Sequence, residues 1–110
     1  MDTTNDLECS VRDVAQLLNT DPPPKLLDIR QPHEFEIARL ENGMLLTQPL
    51  VDEVLERWNR DTPIVCYCHH GVRSLQATVF LRQQGFKNVR SMKGGIHQWA
   101  IEIDPSMDRY

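Results

Sequence analysis

Short apolar runs alternate along this chain with stretches whose apolar residues recur at helical spacing. The runs are residues 25–29, 44–46, 63–67 and 89–92, all of strand length. The helical stretches are residues 11–18, 33–38, 50–58, 74–84 and 96–101. Because apolar strands alternate with helices over short connections, the sequence predicts an α/β domain. We expect a central parallel sheet of about five strands, with helices on both faces, hence three layers.

Two helix ends carry recognisable signals. Ser10 followed by Asp13 has the form of a capping box, which predicts that the first helix starts just after Ser10. Gly85 closes the helix predicted over residues 74–84, and Phe86 should then pack against Leu81. These signals predict where the first helix begins and where the helix over residues 74–84 ends.

The size of the chain favours a single domain. With 110 residues and 40% hydrophobic content it can build one packed core, and we expect one domain over residues 1–110 with an ordered core at about residues 7–103 and short polar termini. There are 12 basic and 16 acidic residues, and no Lys/Arg run of the kind that follows a phosphate backbone. Nucleic acid is therefore not an expected partner.

Composition also indicates a compartment. The first ten residues are acidic and polar, unlike a secretory signal, and no stretch approaches the roughly 18 apolar residues of a membrane-spanning helix. The three cysteines, Cys9, Cys66 and Cys68, are an odd number that fits a reducing environment better than a disulfide framework. We expect a cytoplasmic protein without a membrane partner.

Cys68 is the strongest candidate for a functional residue. It follows a predicted strand and precedes a predicted helix, and ligands of parallel sheets bind where strands end and helices begin. The helix dipole and the converging amides of residues 69–73 would favour its thiolate, the nucleophilic form. Gly71 allows the positive φ that such a turn requires.

Other reactive side chains have plainer interpretations. Cys66 alternates onto the same strand face as Cys68, so a resolving thiol is conceivable, but a core cysteine is the favoured interpretation. Cys66, Cys68, His69 and His70 lack the paired spacing of a zinc site, and we expect neither a metal nor a cofactor.

The charged residues that follow the strand at 25–29 favour an internal ion-pair network over catalysis: Asp28, Arg30 and Glu34. Further expectations are core packing for Trp58 and Trp99, and ordinary surface positions for His33 and His97.

Three separated segments resemble the rhodanese family. Leu26-Leu27-Asp28-Ile29-Arg30 with Pro32 and Glu34 resembles its early signature, Cys68-His69-His70-Gly71-Val72-Arg73-Ser74 its active loop, and Gly94-Gly95-Ile96 with Trp99 its closing signature. The resemblance implies a sulfurtransferase whose Cys68 takes sulfane sulfur from a donor such as thiosulfate, carries it as a persulfide and passes it to cyanide or a thiol, including a small protein thiol. It also implies that His69, His70, Gly71, Val72 and Arg73 form the substrate-binding loop, in which Arg73 binds the donor or braces the loop.

Two alternatives remain open. A rhodanese-like module can bind a partner or sense redox state without catalysis. Phosphatases and arsenate reductases use a related cysteine loop that is one residue longer, so the shorter loop here favours sulfur transfer. The chain also departs from the family at Ala38-Arg39, where a Gly-His pair is common, and in carrying His69 and His70 directly after the cysteine.

Overall fold

The predicted α/β architecture is confirmed by the computed structural model, which describes residues 7–110. These residues form a five-stranded sheet in which every pairing is parallel, in the order β1-β5-β4-β2-β3. The strands are β1 (Glu8–Cys9), β2 (Lys25–Asp28), β3 (Gly43–Leu45), β4 (Ile64–Tyr67) and β5 (Val89–Met92). The helices are α1 (Val11–Leu17), α2 (Pro32–Ile37), α3 (Gln48–Arg57), α4 (Val72–Gln83) and α5 (Gly95–Glu102).

Both faces of the sheet are covered, as the apolar runs predict. Successive side chains of a strand point to opposite faces, so Val65 and Tyr67 of β4 lie on one side and Ile64 and Cys66 on the other. Each face carries its own cluster of buried apolar side chains. The cluster on the side of Val65 and Tyr67 contains residues of α1, α5, β1 and β2. The cluster on the side of Ile64 and Cys66 contains residues of α3, α4 and β5. All four side chains of β4 are buried, which makes this strand the centre of the domain.

The helix-end signals are confirmed. Ser10 Oγ accepts from the Asp13 amide at 3.0 Å, and the Asp13 carboxylate accepts from the Ser10 amide at 3.4 Å. At the end of α4, Gly85 has a φ of 97°, and the Phe86 amide donates to the Leu81 carbonyl at 3.2 Å. This is the six-to-one bond of a Schellman end.

Some element boundaries differ from the prediction. Helix α4 begins at Val72, two residues before the predicted start, because Gly71 takes a left-handed conformation with a φ of 102° and serves as its N-cap. Strand β1 was not predicted, since two residues are too short to show a periodicity. In the part of the chain described here, no helix has both the length and the apolar character needed to cross a bilayer.

Candidate active site

Cys68 lies at the carboxyl end of the central strand. It directly follows β4, and residues 68–71 form the tight connection to α4. Only 1% of its surface is exposed. The nucleophile candidate is therefore enclosed by its own loop.

The groups around Cys68 Sγ are polar hydrogen-bond donors. The Gly71 amide lies 3.1 Å from the sulfur, the Ser74 amide 3.4 Å and the Ser74 hydroxyl 3.3 Å. Both amides belong to the N-terminal end of α4, whose unpaired N–H groups favour a negative charge. The amides of residues 69–73 were predicted to converge on the sulfur, and among them the Gly71 amide does so. The second amide belongs to Ser74, one residue beyond that range.

Helix α5 fixes the orientation of the loop. The Ile96 amide donates to the Cys68 carbonyl at 2.8 Å, and the His97 amide donates to the His69 carbonyl at 3.1 Å. These two bonds hold the carbonyls of Cys68 and His69 against the start of α5. A Cβ on Gly95 would lie 2.5 Å from the Cys68 carbonyl oxygen and would also collide with the His69 carbonyl, so only glycine fits there.

A second serine lies behind Ser74. The Oγ atoms of Ser74 and Ser91 are 2.7 Å apart, and neither residue has exposed surface. Ser91 belongs to β5 and pairs in register with Cys66 of β4. Residues opposite each other on neighbouring strands point to the same face, so Ser91 is directed toward α4. This pair could not be predicted from the sequence, because its contact depends on the pairing of β4 with β5.

Arg73 is tied to Glu34 at the rim of the loop. Its Nη1 and Nη2 atoms lie 2.8 Å and 3.1 Å from the two carboxylate oxygens of Glu34. The Arg73 side chain is 41% exposed, whereas that of Glu34 is 8% exposed. The hydrogen bonds from Arg73 hold the pKa of Glu34 well below its usual range, and the Tyr110 hydroxyl, which donates to Glu34 at 2.9 Å, acts in the same direction.

Asp28, Arg30 and Glu34 form the ion-pair network that their positions suggest. Arg30 donates to both carboxylate oxygens of Asp28 at 2.8 Å and 2.7 Å, and the two side chains are completely buried. Burial disfavours the charged guanidinium, but hydrogen bonds to Asp28 and Tyr110 raise the pKa of Arg30 above its usual value. Its Nη1 lies 2.6 Å from the Tyr110 hydroxyl, which links the Asp28–Arg30 pair to Glu34.

An aromatic cluster lies on the outer side of the loop. The His69 ring stacks on Tyr110 and on His70, with centroids 4.0 Å and 4.1 Å apart, and His97 lies 4.9 Å from His70. The expectation that His97 is an ordinary surface residue is therefore wrong: it is partly buried in this cluster, since α5 packs against the loop. Burial, together with the neighbouring His70, lowers the pKa of His69.

The remaining side chains do not converge on the sulfur. Val72, predicted as part of the substrate-binding loop, is 67% exposed at the start of α4. The exposed position of His33 agrees with its prediction. Within residues 7–110, no group of three or more His, Cys, Asp or Glu side chains is arranged to hold a metal ion.

The other two cysteines differ from Cys68 in their surroundings. Burial raises the pKa of Cys9 to about 11 and that of Cys66 to about 12. Cys66 packs in the apolar cluster under α3 and α4, as expected for a core cysteine. Neither thiol is ionised to any useful extent near neutral pH.

Comparison with known proteins identifies the family. Residues 10–102 match the family described as the rhodanese-like domain. The chain belongs to this family. The thiosulfate sulfurtransferase GlpE of Vibrio cholerae is 34% identical over 85 residues, which are 77% of this rhodanese-like domain and 80% of GlpE. A probable adenylyltransferase/sulfurtransferase, MoeZ of Mycobacterium tuberculosis, is 31% identical over 90% of this chain, but the match spans only 26% of MoeZ.

Solved structures show the same fold. A human single-domain sulfurtransferase, TSTD1, superposes with a TM-score of 0.76 at 19% identity, covering 87% of this chain and 96% of TSTD1. A rhodanese-like domain protein of Staphylococcus aureus gives a TM-score of 0.74 at 20% identity, covering 94% and 97% of the two chains. By its family and its sequence relatives, the protein is a rhodanese-like transferase.

Proposed function

We propose that this rhodanese-like domain transfers sulfane sulfur from thiosulfate or a related anionic donor to a thiol or cyanide, and that Cys68 carries the sulfur as a persulfide. One observation carries the proposal: two backbone amides and a hydroxyl surround Cys68 Sγ at the N-terminus of α4. This environment stabilises a sulfur anion before and after transfer without a proton-transfer group. The name of the GlpE relative, a thiosulfate sulfurtransferase, supports the choice of donor.

The contrast among the three cysteines supports Cys68 as the carrier. Cys9 and Cys66 lie in apolar clusters, and burial raises the pKa of both thiols. A thiolate is the nucleophile in sulfur transfer, so neither of them is poised to react near neutral pH. Cys68 differs from them in that its sulfur lies against two backbone amides at the N-terminal end of α4.

Arg73 supports an anionic donor. Its guanidinium is held by Glu34 at the end of the loop and remains 41% exposed, so it can still meet a substrate anion from the solvent side. A planar guanidinium binds oxyanions through paired hydrogen bonds. We propose that Arg73 attracts the sulfonate end of thiosulfate while Glu34 fixes its position, and that His69, His70, Gly71 and Val72 complete the substrate-binding loop.

Mass spectrometry tests the carrier directly. After exposure to thiosulfate and removal of excess reagent, the intact protein should gain the mass of one sulfur atom, and cyanide should remove it as thiocyanate. The Cys68→Ser variant should not gain sulfur and should not produce thiocyanate from thiosulfate and cyanide. Cys66→Ala and Cys9→Ala are matched controls, because each removes a buried thiol and should leave loading intact.

The same assay separates the alternatives. A binding or redox-sensing module should not gain sulfur from thiosulfate, and that outcome would overturn the proposal. A phosphatase should hydrolyse a chromogenic phosphate ester in a reaction that Cys68→Ser abolishes, and that result would also reject sulfur transfer as the principal activity.

A further inference from the structure

Two buried serines and the Cys68 sulfur form a chain of hydrogen bonds. Ser74 Oγ lies 3.3 Å from Cys68 Sγ, and Ser91 Oγ lies 2.7 Å from Ser74 Oγ. Both serines are fully buried and Cys68 is 1% exposed, so the chain is shielded from solvent. Hydrogen bonds to charged groups in such surroundings are stronger than neutral ones and are poorly replaced by water.

The charge of the sulfur fixes the direction of this chain. A thiolate can only accept hydrogen bonds, so the Ser74 hydroxyl must donate a hydrogen bond to Cys68 Sγ. The oxygen of Ser74 then accepts from the Ser91 hydroxyl. Ser91 thus polarises Ser74 without touching the sulfur, and the two hydroxyls supplement the amides of Gly71 and Ser74.

We propose that Ser91 and Ser74 form a relay that stabilises the Cys68 thiolate and makes Cys68 a better leaving group when it releases sulfur. Ser74 contacts the reacting atom and is a catalytic residue, whereas Ser91 is a positioning residue that acts through Ser74. The thiolate part of this proposal stands on the geometry alone. The leaving-group part rests on the proposed sulfur transfer.

The two half-reactions place charge on different atoms. In loading, the Cys68 thiolate attacks the outer sulfur of thiosulfate, a new sulfur–sulfur bond forms, and the old one breaks with its electron pair leaving on sulfite. The charge of the loaded enzyme then lies on the outer sulfur. In release to cyanide, the outer sulfur first takes a proton from solvent. The cyanide carbon then bonds to the outer sulfur, and the bond to Cys68 Sγ breaks with its electron pair returning to Sγ. Thiocyanate leaves, and the proton returns to solvent.

This charge movement predicts an asymmetric effect of the serines. In release, negative charge develops on Sγ, so a hydrogen bond from Ser74 lowers the barrier. In loading, the same bond increases the thiolate fraction but makes the thiolate a weaker nucleophile, since intrinsic nucleophilicity falls with basicity. Above the pH at which Cys68 is fully ionised, loss of the bond should slow release and should not slow loading.

The first test is a thiolate titration by ultraviolet absorbance, with the Cys68→Ser variant subtracted as a blank. Cys9 and Cys66 interfere little, because burial raises their pKa values to about 11 and about 12. Ser74→Ala should move the Cys68 midpoint upward by about one pH unit, the scale of one charged hydrogen bond. Ser91→Ala should move it in the same direction by less, and the double variant should not exceed Ser74→Ala.

Thr78→Val is the matched control for the titration. Thr78 lies one turn further along α4, is fully buried and donates to the Ser74 carbonyl at 2.9 Å, without a hydrogen bond to Cys68. The Thr78→Val variant should leave the midpoint of the Cys68 titration unchanged. If Ser74→Ala does not fold, Ser91→Ala still tests the relay, because the Ser91 hydroxyl is hydrogen-bonded to Ser74 and not to the sulfur. Unchanged midpoints in both variants, or additive shifts, overturn the relay.

The second test measures the half-reactions separately at a pH above all the midpoints. Single-turnover sulfite release reports loading, and thiocyanate formation from the preloaded enzyme reports release. Ser74→Ala should slow release by about three-fold and leave loading equal or faster, as expected for a leaving group one pH unit more basic. Equal slowing of both steps would show a structural role. If the unmodified protein does not load sulfur but the titration shifts occur, the proposed function fails and the thiolate relay stands.

Discussion

The inner and outer sides of the Cys68 loop are built from different interactions. On the inner side, buried neutral groups surround the sulfur: the amides of Gly71 and Ser74, the serine pair, and the close contact with Gly95. On the outer side, Arg73 and Glu34 form a partly exposed ion pair, and the aromatic cluster of His69, His70, His97 and Tyr110 stacks above the loop.

The difference indicates a division of labour. Buried hydrogen bonds act in a low dielectric and are not screened by salt, so in the proposed reaction the inner side would set the charge and position of the sulfur. Exposed ion pairs and stacked rings contribute less to stability and can move at low cost. Because Cys68 is almost fully enclosed, a donor must approach it from the outer side. We therefore expect inner substitutions to have large effects on folding and chemistry, and outer ones to have smaller effects on donor binding and access.

Gly95→Ala should have the largest effect. The added Cβ would meet the carbonyl oxygens of Cys68 and His69, and the φ of 65° at this position is also unfavourable for alanine. Backbone strain combined with overpacking should lower the free energy of unfolding by about 3 kcal/mol and abolish sulfur loading. Chemical denaturation and the mass-spectrometric loading assay measure both effects.

Gly85→Ala is the control for backbone strain alone. Its φ is 97°, but the nearest atoms that an added Cβ would meet belong to the Arg60 side chain, the closest at 3.7 Å. We expect Gly85→Ala to lower the free energy of unfolding by about 1 kcal/mol and to leave sulfur loading of Cys68 normal. If the two variants behaved alike, close packing of α5 against the loop would not be what fixes the inner side.

Glu34→Gln should have the next largest effect. It removes the charge that holds Arg73. Because Arg73 is exposed to solvent, the free energy of unfolding should fall by only about 1 kcal/mol. The freed guanidinium should bind the donor less well, so KM for thiosulfate should rise several-fold while release to cyanide is unchanged. Steady-state and single-turnover kinetics give the two values. Glu36→Gln, an exposed position on the same helix, should change neither.

The pH dependence of stability sharpens this prediction. The pKa of Glu34 is lowered in the folded protein, so its stabilising contribution is present above the usual pKa of glutamate and is lost as pH falls below that value. The difference in stability between the unmodified protein and Glu34→Gln should therefore shrink below about pH 4. A constant difference down to pH 2 would contradict the ion pair as its cause.

Much of the inner side could be predicted from local sequence. Cys68 and Gly71 stand between an apolar run and a helical stripe, which locates a helix N-terminus and its amides. The contact between Ser91 and Ser74 could not be found in this way, because it depends on the register between β4 and β5, which are separated along the chain. A single sequence carries no signal for that register.

The outer side was harder to predict. Asp28, Arg30 and Glu34 are close in sequence, and their charge pattern alone indicates a network. Tyr110 and His97 join the site from distant parts of the chain. They do so only because α5 packs against the loop and the residues after it turn back over Arg30 and Glu34. Such long-range contacts follow from the tertiary fold and leave no periodicity in the sequence.

Tyr110→Phe should have a smaller effect than Glu34→Gln. It keeps the ring that stacks on His69 but removes the hydroxyl shared by Arg30 and Glu34. The free energy of unfolding should therefore fall by just under about 1 kcal/mol. Tyr110→Leu also removes the stack and should speed alkylation of Cys68 by iodoacetamide, since the cover over the loop is lost. Equal alkylation rates for Phe, Leu and the unmodified protein would mean that Tyr110 does not control access.

Acidification should weaken the outer side slightly while leaving the inner side intact. Burial and the nearby His70 lower the pKa of His69, so the folded state favours the neutral ring. This contribution is fully present above the ordinary histidine pKa of about 6.5 and declines as pH falls through that value. Stability measured by denaturation should therefore fall modestly from pH 7.5 to 5. His69→Phe, which keeps an aromatic ring but cannot titrate, should flatten the change, whereas His33→Gln, outside the cluster, should retain it. If His69→Phe kept the full slope, the pH sensitivity would have to arise elsewhere, and the outer side would not be the acid-sensitive half of the loop.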